Sequence, residues 1–377
     1  MIVNDYADIV IGLQYGDEGK GKIASSIAQK KHYDLVARYN GGPNAGHSVH
    51  LDGDRIVKLH QIPTGVIFKK QSYIGPGCVL DFNQLDLERK HFQQVMNFDP
   101  YDYLTISPQA IVIDIQHKED DSKYHSVNQG STKKGIAPAY ASFYNRTAEL
   151  ANSFSWPSNN KECIEEITSV NTILLEGAQG WYLNPYQGSY PYTTSSSCHP
   201  GAAAATFGFP ADAIKDIIGV AKCYETRSGI DPDFQKVINK NGQLVEPDVS
   251  IETLNQCYEL ISQLGQEYGV TTGRKRHIRF LDVNRLINAI NQSGTTLLVL
   301  QKWDILQQVS AYNRKGFIRI NPFCYYFNGN LLQAPSLDAM YTSITDLIKK
   351  HCPLLTRFFM SAEQKCTLEW EDILYDD

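Results

Sequence analysis

The apolar run Ala7-Asp8-Ile9-Val10-Ile11 leads directly into Gly12-Leu13-Gln14-Tyr15-Gly16-Asp17-Glu18-Gly19-Lys20-Gly21-Lys22. This predicts a strand, a glycine-rich turn, and a helix from about Lys20 to Gln29. Four glycines within ten residues permit positive φ and let backbone N–H groups approach an anion closely. Lys20 and Lys22 add positive charge at the same place. The ordinary phosphate loop, Gly-x-x-x-x-Gly-Lys-[Ser/Thr], does not fit, because Gly19-Lys20 is followed by Gly21. The Asp17-Glu18 pair is the informative part. Carboxylates repel phosphate unless a metal intervenes or the carboxylate does chemistry. The turn therefore reads as a phosphate cradle with a catalytic acid or base built in; a βα turn with solvated charges is the plainer alternative.

A second strand-like segment, Tyr33 to Arg38, precedes another tight turn, Asn40-Gly41-Gly42-Pro43-Asn44-Ala45-Gly46-His47-Ser48. Ligands of open α/β sheets gather beyond the carboxyl ends of strands, so two adjacent βα turns can face one ligand. That arrangement would bring Asp17 and His47 together, a carboxylate and an imidazole with complementary proton roles. Further along, helical periodicity marks Asn83–Val95, Glu252–Tyr268, Asp282–Asn291 and Ser336–His351. Short β-rich runs mark Ile56–Leu59, Leu104–Ile106, Ile111–Ile115, Ile173–Leu175, Ile217–Ala221, Leu297–Leu300 and Phe317–Ile320. Alternating strands and helices predict an α/β fold with a mainly parallel central sheet covered on both faces. No clean linker divides residues 1–377, so a single domain with subdomain insertions is expected. The polar stretch 119–134 reads as a mobile loop.

Composition narrows the function. Net charge is −6, with 20% charged and 42% hydrophobic residues. An acidic chain argues against a nucleic-acid or anionic-membrane surface. The run Arg274-Lys275-Arg276-His277-Ile278-Arg279 is short and lacks interleaved aromatics, so it makes a poor nucleic-acid patch. No signal peptide fits the N-terminus, and no apolar run reaches the roughly 20 residues that span a bilayer, so a cytoplasmic protein is expected. Eight scattered cysteines form no zinc spacing and suggest reduced thiols. Cys198-His199, in the Ser-rich turn after Thr194, could be taken for a nucleophile pair.

Taken with later stretches, the two turns resemble the adenylosuccinate synthetase family. Gln129 to Tyr140 is similar to its Gly-Thr-Thr-Gly-Arg-Gly-Ile-Gly-Pro-Ala-Tyr segment. Glu176-Gly177-Ala178-Gln179-Gly180 and Gly188 to Ser196 resemble its central signature, and Thr271-Thr272-Gly273-Arg274-Lys275-Arg276 its amino-acid loop. Lys302-Trp303-Asp304 resembles its guanine-reading Lys-x-Asp. The resemblance implies a homodimeric ligase that condenses a 6-oxopurine nucleotide with L-aspartate, driven by a nucleoside triphosphate, GTP or alternatively ATP, with Mg2+. It implies Asp17 as base, His47 as hydrogen-bond or proton donor, and Lys20 and Gln179 as further catalytic groups. Asn44, Thr132, Gln179, Thr194 and Arg274 would hold the nucleotide substrate, and Arg146 would reach the 5′-phosphate of the neighbouring subunit. Thr271, Thr272, Arg274 and Arg276 would hold L-aspartate. Gly16, Glu18, Gly19, Lys20, Gly21, Lys22, Lys302, Asp304 and Ser361 would hold the triphosphate. Asp17 and the Gly46 carbonyl would bind the metal.

Three departures from the family pattern stand out. The chain is short between Thr132 and Gln179 and after Asp304, like archaeal and phage-encoded forms. The turn that closes the guanine pocket is replaced by Met360-Ser361-Ala362-Glu363-Gln364-Lys365-Cys366-Thr367, with neither Gly nor Pro. In Cys223-Tyr224-Glu225-Thr226-Arg227-Ser228-Gly229, Ser228 replaces a valine near the ribose. Inosinate is the favoured substrate. A phage-type reaction on guanylate or deoxyguanylate is the alternative, with host cytoplasm as its location. A nucleotide-binding switch is a third reading, disfavoured by the amino-acid loop and by Gln179 and Thr194.

Overall fold

The computed structural model describes residues 1–51, 55–125, 130–153, 163–235, 251–269, 273–314 and 321–361. Eight strands form the central sheet: β1 (Ile2–Gly12), β2 (Leu35–Arg38), β3 (Ser72–Ile74), β4 (Leu104–Ile106), β5 (Ser169–Glu176), β6 (Ile214–Lys222), β7 (Leu297–Gln301) and β8 (Arg357–Ser361). Their spatial order is β8-β7-β6-β1-β5-β2-β3-β4, and every pairing is parallel. The carboxyl ends of all eight therefore lie along one edge, where crossover connections must emerge.

β1 is buried on both faces, which is why its sequence runs apolar rather than alternating. Ile9, Ile11 and Leu13 enter one core, and Val10 enters the other. The helix Lys20–Lys30 covers the Val10 side with Ile23, Ala24, Ile27 and Ala28, a stripe at helical spacing. On the opposite face, Leu286 and Ile290 of the helix Val283–Ser293 pack into the larger core with Leu306 and Val309 of Trp303–Arg314. The Leu337–His351 helix adds Met340, Ile344 and Ile348. A separate four-stranded sheet joins Tyr224–Arg227, His277–Asp282, Cys324–Phe327 and Asn330–Gln333. Among the described residues, no helix is long and apolar enough to cross a membrane.

Several expectations change. Ile56–Leu59 is not in the central sheet; it forms an antiparallel hairpin with His47–His50, so the second turn leads into a hairpin rather than a helix. Ile111–Ile115 divides into a two-residue strand, Ile111–Val112, and a helix, Ile115–Asp120, that starts after the Asp114 cap. Of the expected loop 119–134, residues up to 125 are helical; 126–129 lie outside the described residues. The expected strand Phe317–Ile320 also lies outside them. β1 and β2 are not neighbours, because β5 lies between them.

The hairpin is fastened from behind by Glu88, on the helix Phe82–Met96. Its buried carboxylate accepts the backbone N–H groups of His60 at 2.8 Å and of Gln61 and Ile62 at 3.0 Å. The His60 ring then donates from Nδ1 to the Ala45 carbonyl at 2.7 Å, holding the turn that contains Gly46 and His47. Burial pushes the Glu88 carboxyl up to about 7, against the pull of those N–H groups and of Arg38. A carboxyl raised in this way stabilises the fold fully below its ordinary value, and that stability is lost as pH rises through about 7. The Glu88→Gln variant cannot titrate. Urea unfolding at several pH values should therefore show the wild-type stability falling, relative to the variant, by on the order of 3 kcal/mol between about pH 5 and 8. A pH-independent difference would refute this account.

Candidate active site

Three loops leave adjacent strand ends. Residues 13–19 follow β1, 177–180 follow β5, and 39–47 follow β2. The β5 loop is thus the wedge between the two turns that carry Asp17 and His47. Two glycines make the approach close. Gly19 caps the first helix with φ of 90°, a conformation that favours glycine. A Cβ on Gly21 would stand 2.6 Å from Cβ and Cγ of His47. The Ser or Thr of an ordinary phosphate loop has no room there, because the second turn packs directly on the helix N-terminus.

Glu18 organises the loop. Its carboxylate is buried, accepts the N–H groups of Gln14 at 3.0 Å and Gly16 at 2.8 Å, and pairs with Lys20 Nζ at 2.7 Å. The side chain points into the protein, so Glu18 can meet a triphosphate only through its backbone. Lys20 also donates to the Gly16 carbonyl at 3.0 Å. Gln301, at the end of β7, donates its amide N–H to the Glu18 carbonyl at 2.8 Å.

Two cavities open at this edge. One, of about 230 Å³, is lined by Asn44, Thr132, Gln179, Thr194, Arg227 and Ser228 among others. The second, of about 440 Å³, is lined by Glu18, Gly19, Gly21, Lys22, Arg276, Lys302 and Asp304 among others. Gly16, Asp17, Lys20, Gly46 and His47 line both. Of the expected residues, Asn44, Thr132, Gln179 and Thr194 thus line one space, Glu18, Gly19, Gly21, Lys22, Lys302 and Asp304 the other, and the two share one wall.

Unpaired buried atoms mark where ligand groups fit. In the smaller cavity these are Gln179 Nε2 and Asn44 Oδ1; in the larger, Asp304 Oδ1. Gln179 Oε1 is already satisfied by Ser196 Oγ at 2.8 Å, which leaves the amide as a donor facing the smaller cavity. Asp304 stands in the first turn of its helix, and burial raises its carboxyl above the usual range while the Lys302 charge opposes this. An acceptor of this kind suits a paired N–H edge.

His47 is buried, with Nδ1 3.9 Å from Glu176 Oε2 and unpaired. Burial, reinforced by the charges of Arg38, Lys20 and His60, holds the imidazole well below the usual histidine value. At neutral pH it is an uncharged hydrogen-bond donor rather than an imidazolium acid.

Asp17 is engaged on both oxygens. Arg276 Nη2 lies 2.9 Å from Oδ1, and Ser228 Oγ donates to Oδ2 at 3.2 Å. Arg276 also pairs with Glu267 at 2.5 Å, so the expected aspartate ligand is already shared by two protein carboxylates. Arg274 reaches the Gly130 carbonyl at 3.0 Å and lines neither cavity, which separates it from the other expected nucleotide residues. Arg146 is exposed just beyond the helix Ile136–Tyr144 and also lines neither. Thr271 and Thr272 lie outside the described residues, as do 362–367; Ser361 ends β8, its side chain not described. Cys198 is no nucleophile, because burial pushes its thiol up to about 12.

For a divalent cation, Asp17 and the Gly46 backbone stand together at the common wall. Among the described residues no three His, Cys, Asp or Glu gather. One carboxylate and one carbonyl form a hard, incomplete donor set, which fits Mg2+ drawing its other ligands from phosphate and water. Sequence reasoning missed Gln301, Lys222, Glu267 and Asp121, which hold the site from behind. Asp121, for instance, accepts the Gly135 N–H at 2.8 Å and so shapes the rim of the smaller cavity. These residues carry no local motif, and their partners are distant in sequence.

The adenylosuccinate synthetase family model matches residues 9–168 and 156–313. The adenylosuccinate synthetase of Pseudothermotoga lettingae is 30% identical over an alignment of 415 positions, gaps included, covering 96% of this chain and 95% of that protein. That of Helicobacter pylori G27 is 33% identical over 365, covering 82% and 83%. The fully ligated Plasmodium falciparum enzyme superposes with a TM-score of 0.66 at 24% identity, over 80% of this chain and 78% of that one. The cyanophage S-2L succinoaminodeoxyadenylate synthetase, bound to dGMP and to dATP as an energy donor, gives 0.65 at 20%, over 91% and 99%. These two structures speak to the fold. With a family match across most of its length, the chain belongs to the adenylosuccinate synthetases, ligases of purine nucleotide biosynthesis that form a carbon–nitrogen bond.

Proposed function

We propose that the protein condenses inosinate with L-aspartate, after phosphorylating the purine 6-oxygen from GTP. The observation that carries this reading is the common wall: Asp17, Lys20, Gly46 and His47 line both cavities, so a purine in one meets a triphosphate in the other there. Asp17 takes the N1 proton, and the electron pair moves onto O6. O6 bonds to the γ-phosphorus as the bond to the β-phosphate oxygen breaks, leaving a nucleoside diphosphate. The L-aspartate amine then attacks C6, phosphate departs with the bonding pair, and the new C–N nitrogen releases its extra proton to solvent. The neutral His47 imidazole donates a hydrogen bond at the reacting oxygen, and the Gln179 amide supplies a second donor. Lys20 offsets charge on the migrating group. A positioned base contributes roughly 10²–10⁴-fold, and preorganised donors a comparable factor. Mg2+ held by Asp17 and Gly46 would neutralise the triphosphate.

GTP is favoured over ATP because the unpaired Asp304 oxygen can accept from N1–H and N2–H of guanine. Arg146, exposed and away from both cavities, supports a homodimer in which it serves the neighbour's 5′-phosphate. A cytoplasmic location accords with this chemistry. A second reading, ligation of deoxyguanylate, draws on the likeness to the cyanophage structure bound to dGMP and on Ser228 beside Asp17.

The decisive assay incubates the protein with Mg2+, GTP or ATP, L-aspartate, and IMP, dIMP, GMP or dGMP in turn. The succinyl adduct is then sought by mass. Adduct with IMP and GTP is expected. Adduct only with a guanine nucleotide would transfer the assignment to the second reading, and no adduct at all would end both. In the same assay, Asp17→Asn should lower kcat by at least about 10³-fold. Gly21→Ala, whose Cβ displaces His47, should lower it by about 10²-fold. Wild-type turnover by the Gly21→Ala variant would remove the packing argument.

A further inference from the structure

Behind Asp17 runs a line of alternating charge. Lys222 Nζ lies 2.9 and 2.8 Å from the two oxygens of Glu267, with Thr226 Oγ1 at 2.9 Å. Tyr224 donates its hydroxyl to Glu267 Oε1 at 2.7 Å. Glu267 Oε2 holds Arg276 Nη1 at 2.5 Å, and Arg276 Nη2 holds Asp17 at 2.9 Å. Lys222 and Glu267 are both buried, and Glu267 lines neither the purine nor the triphosphate cavity. A buried ion pair is weak evidence of stabilisation, since apolar side chains of similar volume often serve as well. The line therefore calls for a reason other than stability.

The arrangement supplies one. Glu267 takes four donor contacts, three of them from Lys222 and Tyr224, so it fastens Arg276 by one edge without consuming the whole cation. The other edge carries Nη2 and the Nε hydrogen, which is buried and without a partner. Nη2 on that edge meets Asp17, and Arg276 lines the larger cavity. Nε and Nη2 together form the two-toothed donor that fits a carboxylate.

We propose that Glu267 is a positioning residue for the amino-acid substrate: it holds Arg276 so that an incoming carboxylate can take Nε and Nη2 and release Asp17 to the purine. The inference rests on the ligase reading above, in which Asp17 is the base and L-aspartate the acceptor. Without the Glu267 charge, Arg276 turns onto Asp17 with both donors, and L-aspartate must compete with a tighter internal pair. Lowered to about 2, with Lys222 and Arg276 outweighing burial, Glu267 stays ionised throughout the working range.

The test compares the KM of each substrate for wild type, Glu267→Gln and Glu267→Asp, alongside calorimetric titration of L-aspartate. Glu267→Gln should raise the KM for L-aspartate by about tenfold or more, the scale of a lost charged hydrogen bond, with nucleotide KM values within about threefold. Glu267→Asp should recover much of the loss. A uniform rise in all KM values, or an unchanged one for L-aspartate, would overturn the proposal. If Glu267→Gln fails to fold, Glu267→Met takes its place, and a folded Glu267→Met with wild-type L-aspartate KM would overturn it as well. Wild-type enzyme that makes no adduct sinks the ligase reading. Calorimetry still judges Glu267 in that event, because weaker L-aspartate binding by the variant supports its role, and equal or absent binding refutes it.

Discussion

A glycine-rich turn crowded with N–H groups needs an internal acceptor to keep its shape, and here a buried carboxylate is that acceptor. Glu18 satisfies two loop N–H groups and the Lys20 ammonium from inside. Unpaired, those donors would cost on the order of 1–3 kcal/mol each. With the loop preformed, the β5 and β2 loops have a fixed surface to pack against, and Gly21 lets His47 come down on the helix start. The common wall of the two cavities is the product of that packing.

Electrostatics then sorts the groups on the wall. His47, surrounded by burial and by the charges of Arg38, Lys20 and His60, is kept neutral. Asp17 remains next to Arg276, which holds it without excluding it from either cavity. The two side chains thus have complementary hydrogen-bonding character although both sit in one cleft, and backbone geometry alone does not create the difference.

The first strand, turn and helix were legible in the sequence because glycine spacing and an apolar run are local signals, and the helix Lys20–Lys30 begins where they point. The helices near 82, 283 and 337 followed from periodicity in the same way. Strand order was not legible: β5 enters between β1 and β2 from more than a hundred residues away, and nothing in either turn announces it. Ile56–Leu59 looked like a sheet strand because a half-buried hairpin arm has the same alternation. In the site, Asp17, His47, Asn44 and Gln179 could be picked out because they sit in recognisable turns. Lys222 and Glu267 could not, since 45 residues separate them and only tertiary packing makes them a pair.

The amide of Gln301 ties two stretches of the larger cavity's wall together. It grips the Glu18 carbonyl, while Lys302 and Asp304, one and three residues further on, line the same larger cavity as Glu18. One short stretch of backbone thus serves as a ruler, with the glycine-rich turn at one mark and the Asp304 carboxylate at the other. The spacing of the two is set by the protein in advance, and in the proposed reading it fixes the reach from triphosphate to heterocycle.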